Sequence, residues 1–386
     1  MNFNFEIDKK DLITPLKKAV SVAEEKGYTP ILKNILMRLE NNKLHLTCND
    51  TEVEIKLQVK LSEPYFENND NKGDVTVNAK KLFNICNSFP ENAVIRFQSD
   101  EDKEKLYVKS GRSNFELATL PSQDYPSSPE LIDAKIYKIE SSTLKHQISK
   151  ISFAMANGDA RYYLNGGCIN FGVNGIVELV STDGHRLAIS KGFEKTEEDA
   201  ETNKEELQCI IPRKAIIELG KLLASSKEED VIITVDFNNI VFDIGNIRLI
   251  SKLIEGRYPD YNAVIPVIGG DNEKIVIAKT ELMKQSLIRV MVVANDKVKP
   301  VRFSFLKDKA VISLKNSSKE EAEEEIDVDY SGEEFEIGFN GKYILDVLSV
   351  IDTDSVEFHF KDTNSSCLIY ERDNDDDKYI VMPIRL

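Results

Sequence analysis

The feature that most constrains the fold of this chain is an internal repeat, in which a short alternating strand leads through a polar segment into an apolar helix. The helix residues that mark one series of copies are Leu12, Leu144 and Leu282. Those that mark a second series, in step with the first, are Leu82, Ile216 and Ile344. Members of each series recur about every 130 residues, which predicts three tandem copies of one domain.

Each copy is itself a duplication, because it contains two strand–helix halves with hairpin-like strands between the helices. The predicted fold class is therefore α+β, with three tandem copies of a duplicated two-helix, antiparallel-sheet domain. The predicted boundaries are 1–133, 134–262 and 263–386. A chain of 386 residues with 41% hydrophobic residues can bury a core in each copy. A generic duplicated α+β protein remains an alternative, because repetition specifies architecture and not function.

The distribution of charge gives the repeats a functional interpretation. The predicted helices lie at 9–26, 80–86, 143–150, 213–222, 279–289 and 342–348. Together they contain 16 Lys and Arg against 6 Asp and Glu, whereas the whole chain has a net charge of −16. An acidic surface repels nucleic acid, but basic helix faces within an acidic chain can attract phosphate locally. Ordinary solvated helix faces are the alternative explanation for any single helix.

Two such chains joined head to tail would supply twelve helices to a closed ring. With packed helices about 8–10 Å apart, twelve helices give a circumference of roughly 110 Å and a bore of about 35 Å. A bore of this width passes duplex DNA, and basic faces would hold the phosphates weakly without contacting bases. The charge pattern is therefore compatible with a dimeric ring that encloses duplex DNA.

Composition argues against several other classes of protein. The five cysteines are scattered and form no Cys-x-x-Cys pair, which predicts buried, reduced thiols and neither disulfides nor zinc. No apolar run approaches the roughly 18 residues of a membrane span, and the N-terminal residues do not resemble a signal peptide. We therefore expect a cytoplasmic protein with no membrane association. Because no phosphate-binding loop or metal motif is present, we expect no cofactor and no metal.

Six motifs, in this order along the chain, resemble those of one known family. They are PILKNIL at 30–36, RYYLNG at 161–166, STDGHRLA at 181–188, SKL at 251–253, GRYPDY at 256–261 and VMPIRL at 381–386. Over its whole length the chain resembles the bacterial DNA polymerase III beta subunit, the sliding clamp. The resemblance implies a non-catalytic, ring-shaped homodimer of three-domain chains. It also implies that the replicative polymerase, the clamp loader and repair proteins dock through short linear peptides.

The resemblance further implies a peptide-binding pocket between the second and third domains. Its expected lining is Leu164, Thr182, Gly184, His185, Arg186, Leu187, Pro259, Val264, Ser366, Ile380, Val381, Met382, Pro383, Ile384 and Arg385. An apolar groove with a few polar groups suits an extended peptide. Two positions depart from the family pattern: Ala263 replaces a common Arg, and Ile384 replaces a common Met. Peptide preference is therefore expected to differ from that of better-known members.

For DNA and for the dimer, the resemblance implies two further sets of residues. The DNA-binding candidates are Lys26, Lys80, Lys81, Tyr162, Tyr163, Arg213 and Lys214. Gly158 stands where a Gln contact to DNA is common, so that contact is not expected here. The dimer-interface candidates are Phe115 and Leu117 of the first domain, facing Val292 and Val293 of the third domain of the partner.

Two other functional classes are alternatives to the clamp. Asp183 and His185 could suggest a catalytic base in a hydrolase or transferase, but alternate residues of a turn point apart. The acidic runs at 320–325 and 373–377 are interpreted as solvated loops, because they lack the ligand spacing of a calcium loop. The second alternative is an acidic scaffold that binds peptides but not DNA.

Overall fold

The computed structural model describes residues 3–23, 27–61, 73–100, 102, 104–172, 174–195, 206–267, 269–270, 273–295, 298–372 and 374–385. The chain divides into two compact units. Unit 1 comprises Met1–Ser142 with Lys214–Leu253, and unit 2 comprises Thr143–Arg213 with Ile254–Leu386. Within the described residues, no helix is both long enough and apolar enough to cross a membrane.

Among the described residues, each of the six predicted helical segments corresponds to an α-helix, although the first helix ends at Val20 and does not extend through the predicted segment 9–26. The helices are α1 (Lys9–Val20), α2 (Ala79–Ser88), α3 (Ser141–Ile151), α4 (Arg213–Ala224), α5 (Thr280–Val290) and α6 (Gly341–Leu348). Single-turn 3₁₀ segments occur at Pro30–Lys33, Ser122–Asp124, Ser152–Ala154, Tyr162–Leu164, Tyr261–Val264 and Met291–Val293. Helices α2 and α6 each begin with an asparagine N-cap. The side chain of Asn78 or Asn340 accepts a hydrogen bond from a backbone N–H in the first turn.

Twenty-four strands fill most of the remaining described chain. The first twelve are β1 (Asn4–Asp8), β2 (Asn34–Glu40), β3 (Lys43–Asn49), β4 (Val53–Lys60), β5 (Gly73–Asn78), β6 (Val94–Ser99), β7 (Lys105–Ser110), β8 (Ser113–Leu120), β9 (Lys135–Glu140), β10 (Gly166–Phe171), β11 (Ile176–Thr182) and β12 (Arg186–Phe193). The others are β13 (Leu207–Pro212), β14 (Asp230–Val235), β15 (Asn239–Ile244), β16 (Ile247–Lys252), β17 (Lys274–Lys279), β18 (Pro300–Leu306), β19 (Lys309–Lys315), β20 (Glu321–Asp329), β21 (Phe335–Asn340), β22 (Ser355–Phe360), β23 (Cys367–Glu371) and β24 (Asn374–Val381).

In the described part of the chain, each unit contains one twelve-stranded sheet. The order in unit 1 is β1-β6-β7-β8-β5-β2-β3-β4-β16-β15-β14-β9, and the order in unit 2 is β13-β10-β11-β12-β24-β23-β22-β17-β20-β19-β18-β21. The recorded strand pairs, including β4 with β16 and β12 with β24, are antiparallel. The predicted second domain, 134–262, therefore contributes strands to both sheets. The three domain boundaries themselves remain a prediction.

Two of the basic residues predicted on exposed helix faces are instead buried, so fewer positive charges face solvent than the sequence suggests. Lys150 on α3 is 0% exposed and donates through Nζ to Asp352 at 2.9 Å and to the carboxylate of Glu371. Lys9 on α1 is also buried and donates to the carbonyl oxygen of Asn87 at 2.8 Å. Both lysines satisfy buried acceptors rather than facing solvent, because a buried cation requires such partners.

Within the described residues, the prediction that the acidic runs form loops is wrong, although most of their acidic side chains are exposed as predicted. Residues 321–325 belong to β20, and residues 374–377 begin β24. An acidic segment can form a strand here because its carboxylates form ion pairs with cations on neighbouring elements. Examples are Glu325 with Lys309 at 3.1 Å and Glu324 with Arg289 at 2.7 Å. Asp377 is buried and accepts a hydrogen bond from Ser190 at 2.5 Å.

Candidate functional site

The structure brings together most of the residues predicted to line a peptide-binding pocket. A cavity of about 160 Å³ in unit 2 is lined by eleven of them. These are Leu164, Thr182, Gly184, His185, Arg186, Leu187, Pro259, Val264, Ser366, Ile380 and Met382. We call this cavity the apolar cavity. Its walls come from segments that are far apart in sequence, including neighbouring strands of one sheet and two 3₁₀ turns, Tyr162–Leu164 and Tyr261–Val264.

The pairing of β12 with β24 positions the base of the apolar cavity. Leu187 lies opposite Ile380 in the register, and just beyond β24 the N–H of Met382 donates to the carbonyl oxygen of His185 at 2.9 Å. Because side chains alternate along an extended chain, Ile380 and Met382 share one face and Val381 points to the other. Val381 is 0% exposed and does not line the cavity.

A buried apolar cluster supports the cavity from below. It comprises Cys168, Val180, Leu187, Ile189, Ile210, Tyr258, Leu368 and Ile380, all of them at most 3% exposed. Tyr163 and Tyr261 pack against this cluster from the cavity side. At the rim, Val264 is 44% exposed and Met382 is 40% exposed. Accessible apolar side chains above a packed base suit an apolar ligand, since covering them removes apolar surface from water.

The turn between β11 and β12 is held by the Asp183 carboxylate. Its Oδ1 accepts the backbone N–H groups of His185 at 2.9 Å and Arg186 at 3.1 Å. Its Oδ2 accepts from Nε of Arg186 at 3.1 Å. Gly184 in this turn has a φ of +88°, where a side chain is strained, and a Cβ there would lie 2.9 Å from the guanidinium of Arg161. The Asp183 carboxylate therefore shapes the turn rather than orienting the His185 ring.

Arg186 has a structural position that its motif did not reveal. Its side chain is 9% exposed and donates to Asp346 of α6 at 2.5 Å and to the carbonyl oxygen of Phe153 at 2.7 Å. The guanidinium also lies 4.5 Å from the ring centroid of Tyr343. Because most of its donors already have partners, Arg186 braces the cavity wall rather than presenting free donors to a ligand.

Three other predicted lining residues lie outside the apolar cavity. Pro383 and Ile384 are half-buried, and Arg385 is exposed. The N–H of Ile384 donates to the carbonyl oxygen of Gly338 at 2.8 Å, so this segment follows β21 instead of the cavity. Ala263, the first departure from the family pattern, is exposed.

Four lining residues were missed, namely Arg161, Tyr163, Asp260 and Tyr261. All four belong to the motifs RYYLNG and GRYPDY, so proximity to matched residues could have found them. Arg161 forms a two-point ion pair with Asp159, with Nε–Oδ1 and Nη2–Oδ2 distances of 3.0 Å. The hydrogen bonds from Arg161 lower the pKa of the Asp159 carboxyl to about 2, so the pair stays charged at neutral pH.

The candidate DNA contacts differ in how exposed their side chains are. Lys26 lies outside the described residues. Lys80, Lys81 and Tyr162 are exposed on α2 and on the 3₁₀ turn Tyr162–Leu164. By contrast, Lys214 is half-buried and donates to the carbonyl oxygen of Val22 at 3.0 Å and to Asp50.

The remaining two DNA candidates also have structural partners. Arg213 donates through Nη1 to the carbonyl oxygen of Met155 at 2.9 Å. Tyr163 lines the apolar cavity, and its ring centroid lies 5.8 Å from that of Tyr162. Both side chains are therefore positioned mainly by contacts within unit 2.

The candidate dimer residues lie on β8 and in the 3₁₀ segment Met291–Val293 that follows α5. Phe115 is half-buried, with its ring centroid 5.9 Å from that of Phe89, and Leu117 is half-buried two residues further along β8. Val292 is 78% exposed, and Val293 is half-buried with its carbonyl oxygen accepting from Asn316 at 2.8 Å. Both pairs thus present apolar surface.

Comparison with known proteins explains why these motifs occur together. Family models of the DNA polymerase III beta subunit match at residues 3–129 for the N-terminal domain, 138–260 for the central domain and 264–385 for the C-terminal domain. The chain is 40% identical over 383 residues to the beta sliding clamp of Pseudomonas putida, covering 99% of this chain and 100% of the relative. The chain belongs to the DNA polymerase III beta subunit family.

Two further members of the beta subunit family support the assignment. The beta sliding clamp of Escherichia coli K12 is 35% identical over 383 residues, covering 99% of this chain and 100% of the relative. A solved sliding clamp of Pseudomonas aeruginosa, bound to griselimycin, is 38% identical with a TM-score of 0.91 and covers 100% of both chains.

Membership in the beta subunit family decides between the functional classes. The chain has the three-domain α+β clamp fold and is a non-catalytic sliding clamp, a processivity factor of a DNA polymerase holoenzyme. The hydrolase, the transferase and the acidic scaffold are therefore set aside. The position of His185 on a turn at the cavity rim agrees with a binding role.

Proposed function

We propose that two copies of this chain close head to tail into a ring around duplex DNA and bind partner proteins through the apolar cavity. The partners are the replicative polymerase, the clamp loader and repair proteins, each presenting a short linear peptide. The observation that carries this proposal is the convergence of β11, β12, β24 and the segment around Pro259 on one accessible apolar cavity. A cytoplasmic location and the domain boundaries 1–133, 134–262 and 263–386 belong to the same proposal.

The apolar cavity favours a peptide with Leu and Phe side chains. A volume of about 160 Å³ accommodates one or two such side chains, and the rim residues Val264 and Met382 would be covered on binding. The backbone of the peptide would then lie along the open side of the cavity. Pro383, Ile384 and Arg385, which follow Met382 along the chain, are proposed to contact the peptide beyond the cavity itself.

The dimer is proposed to form along sheet edges that are incompletely paired. Among the described residues, β8 pairs with β7 along its length but with β5 only at Thr119 and Leu120. Similarly, β20 pairs with β17 only at Val328 and Asp329. Strands with one open side add neighbouring strands readily. Phe115 and Leu117 on β8 would then pack against the partner's surface near Val292 and Val293.

Duplex DNA is proposed to contact the exposed basic and aromatic side chains. Lys80, Lys81 and Tyr162 are the candidates with accessible side chains, and Lys26 lies outside the described residues. The remaining candidates would contribute to DNA binding mainly by stabilising the neighbouring surface; they are Tyr163, Arg213 and Lys214. Lysines on helix faces attract phosphate without selecting a sequence, which permits sliding.

Retention on circular DNA tests the enclosure directly. The clamp is loaded onto nicked circular DNA with a clamp loader, separated by gel filtration, and the circle is then linearised. We expect clamp bound to the circle to be lost when ends are created, because an enclosing ring slides off. Equal retention on circular and linear DNA would show that direct contacts, and not enclosure, hold the protein.

A further inference from the structure

A second and larger cavity lies beside the apolar cavity in unit 2. Its volume is about 650 Å³, and it opens over β10, β11 and β13. Pro259, Asp260 and Tyr261 line both cavities, so Tyr261 forms part of a shared wall. Of the described residues that match the family pocket, only Pro259 lines this second space. We call it the polar cavity.

A hydrogen-bonded relay fixes the shared wall in place. Gln208 donates to Oδ1 of Asn170 at 2.9 Å, and Nδ2 of Asn170 donates to the hydroxyl of Tyr261 at 2.9 Å. The Tyr261 hydroxyl in turn donates to the carboxylate of Glu178. Burial and the neighbouring Glu178 both raise the pKa of Tyr261, so the phenol keeps its proton. The relay thus holds the polar cavity open with a preformed shape.

Among the described residues, the lining of the polar cavity is amphipathic with an excess of negative charge. Its carboxylates are Glu178, Glu206 and Asp260, and its cations are Lys191 and Arg257. One oxygen of Glu178 accepts from the Tyr261 hydroxyl, and the other forms only a long ion pair with Nζ of Lys191, at 3.8 Å. Apolar surface comes from Phe171, Ile176 and Leu207. A long aliphatic stem that ends in a cation complements both parts of this lining.

We propose that the polar cavity receives a Lys or Arg side chain of the partner peptide whose apolar residues occupy the apolar cavity. This inference rests on the peptide-binding role proposed above. An extended peptide advances about 3.3 Å per residue, so two or three residues are enough to pass over the Tyr261 ring from the apolar cavity to the polar cavity. The cationic residue therefore lies within roughly three positions of the apolar segment. The cation head approaches Glu178 and Glu206, and its stem follows Ile176 and Leu207.

The test compares labelled peptides that share one core of Leu and Phe residues. The first has neutral Gly and Ser flanks, the second carries Arg three positions before the core, and the third carries Arg three positions after it. Matched peptides carry Glu in place of Arg. Dissociation constants are measured by fluorescence polarisation on the full chain, on the Glu178→Gln/Glu206→Gln variant and on a control variant, Glu334→Gln. Glu334 is exposed and lies outside both cavities.

We expect one Arg peptide to bind about fivefold or more tightly than the neutral peptide, and its Glu counterpart to bind less tightly. The gain should shrink with added salt and disappear in the Glu178→Gln/Glu206→Gln variant, but persist in Glu334→Gln. The amide oxygen that replaces the Glu178 carboxylate can still accept from the Tyr261 hydroxyl, so the shared wall is preserved and the neutral peptide should bind as before.

The outcomes separate the two proposals. If the neutral peptide does not bind, the proposed role of the apolar cavity fails. If it binds but neither Arg peptide gains affinity, or the gain survives in the Glu178→Gln/Glu206→Gln variant, the polar cavity does not receive a cation and the inference is overturned. Loss of the gain in Glu334→Gln as well would show a response to net charge alone, which also overturns it.

Discussion

Lys150 on α3 directs its ammonium group into the carboxylate of Glu371 on β23, and both side chains are at most 3% exposed. A second carboxylate partner, Asp352, is 78% exposed and lies 2.9 Å from Nζ. The same ammonium group thus has one buried and one solvated counterion. This arrangement fastens α3 to the sheet of unit 2 and makes the contributions of the two carboxylates separable.

Replacing Lys150 with Met should destabilise the protein by about 3–5 kcal/mol, because Glu371 is left buried without its cation. A double replacement, Lys150→Met with Glu371→Met, should recover most of the loss. The control Asp352→Asn should cost less than about 1 kcal/mol, since that carboxylate is solvated. Urea denaturation followed by circular dichroism gives the comparison. A single Lys150→Met variant as stable as the parent chain would contradict the assigned pairing.

Replacing Gly184 with Ala should lower the free energy of unfolding by about 1 kcal/mol, because the residue has φ +88°. The added Cβ also displaces the guanidinium of Arg161 at the cavity rim, so peptide affinity should fall. A control at an exposed glycine of ordinary φ, Gly270→Ala, should change neither quantity, because a Cβ there meets open space. Unchanged affinity in Gly184→Ala would place the turn outside the binding surface.

Met382→Ala combined with deletion of residues 384–386 should abolish binding of the neutral Leu and Phe peptide. Met382 supplies rim surface, and the deleted segment includes the N–H of Ile384 that bonds to Gly338. Fluorescence polarisation measures the affinity, and light scattering on the same sample verifies that the dimer persists. Undiminished binding would mean that peptides dock elsewhere on the chain.

Val292→Asp together with Val293→Asp should yield monomers, since each new charge would be buried without a partner at the proposed dimer interface. Gel filtration with light scattering distinguishes a chain of 43.7 kDa from its dimer. The control Val267→Asp alters a side chain that is 91% exposed and should leave the dimer intact. A dimer that survives dilution to micromolar concentration would place the dimer interface on another surface.

Alkaline pH should destabilise the reduced protein through its buried thiols. Burial raises the pKa of Cys86 and Cys209 to about 12 each, whereas a thiol in the unfolded chain titrates near 8.5. Their stabilising contribution is therefore complete below about pH 8.5 and is lost as the pH rises towards 12. Urea midpoints measured between pH 7.5 and 10.5 should fall, and less steeply for Cys86→Ala. An equal slope for Cys86→Ala would exclude this thiol as a cause.

The helices were predictable because the signal is local. Amphipathic spacing around Leu12 and Leu144, repeated along the chain, locates α1 and α3 without any knowledge of their partners. The prediction of buried, free cysteines is also confirmed, since all five are buried in strands or, for Cys86, in α2. Local sequence patterns were therefore sufficient to predict most of the fold class.

Long-range partners were not predictable in this way. The residues near Lys150 in sequence give no indication of its ion pair with Glu371, which lies 221 residues away. The sequence alone therefore predicts that Lys150 is an exposed charge. Arg186 likewise belongs to a recognisable motif, but its structural role in the cavity wall depends on the hydrogen bond to Asp346 of α6, which the motif does not predict. Tyr261 is placed against Glu178 by tertiary packing rather than by its own motif. In each case the long-range contact sets the role of the side chain.

The antiparallel pairing of β4 with β16 and of β12 with β24 has a practical consequence for anyone who dissects this protein. The central third of the chain contributes β9 and β14–β16 to one sheet and β10–β13 to the other, so excising it by sequence repeat would strip neighbours from two sheets at once. In the excised central third, β12 and β16 would lose their partners β24 and β4 and become exposed edge strands. Unpaired edge strands of this kind are prone to self-association. Truncated versions should therefore follow the two compact units, whose segments are interleaved along the chain, instead of the repeat.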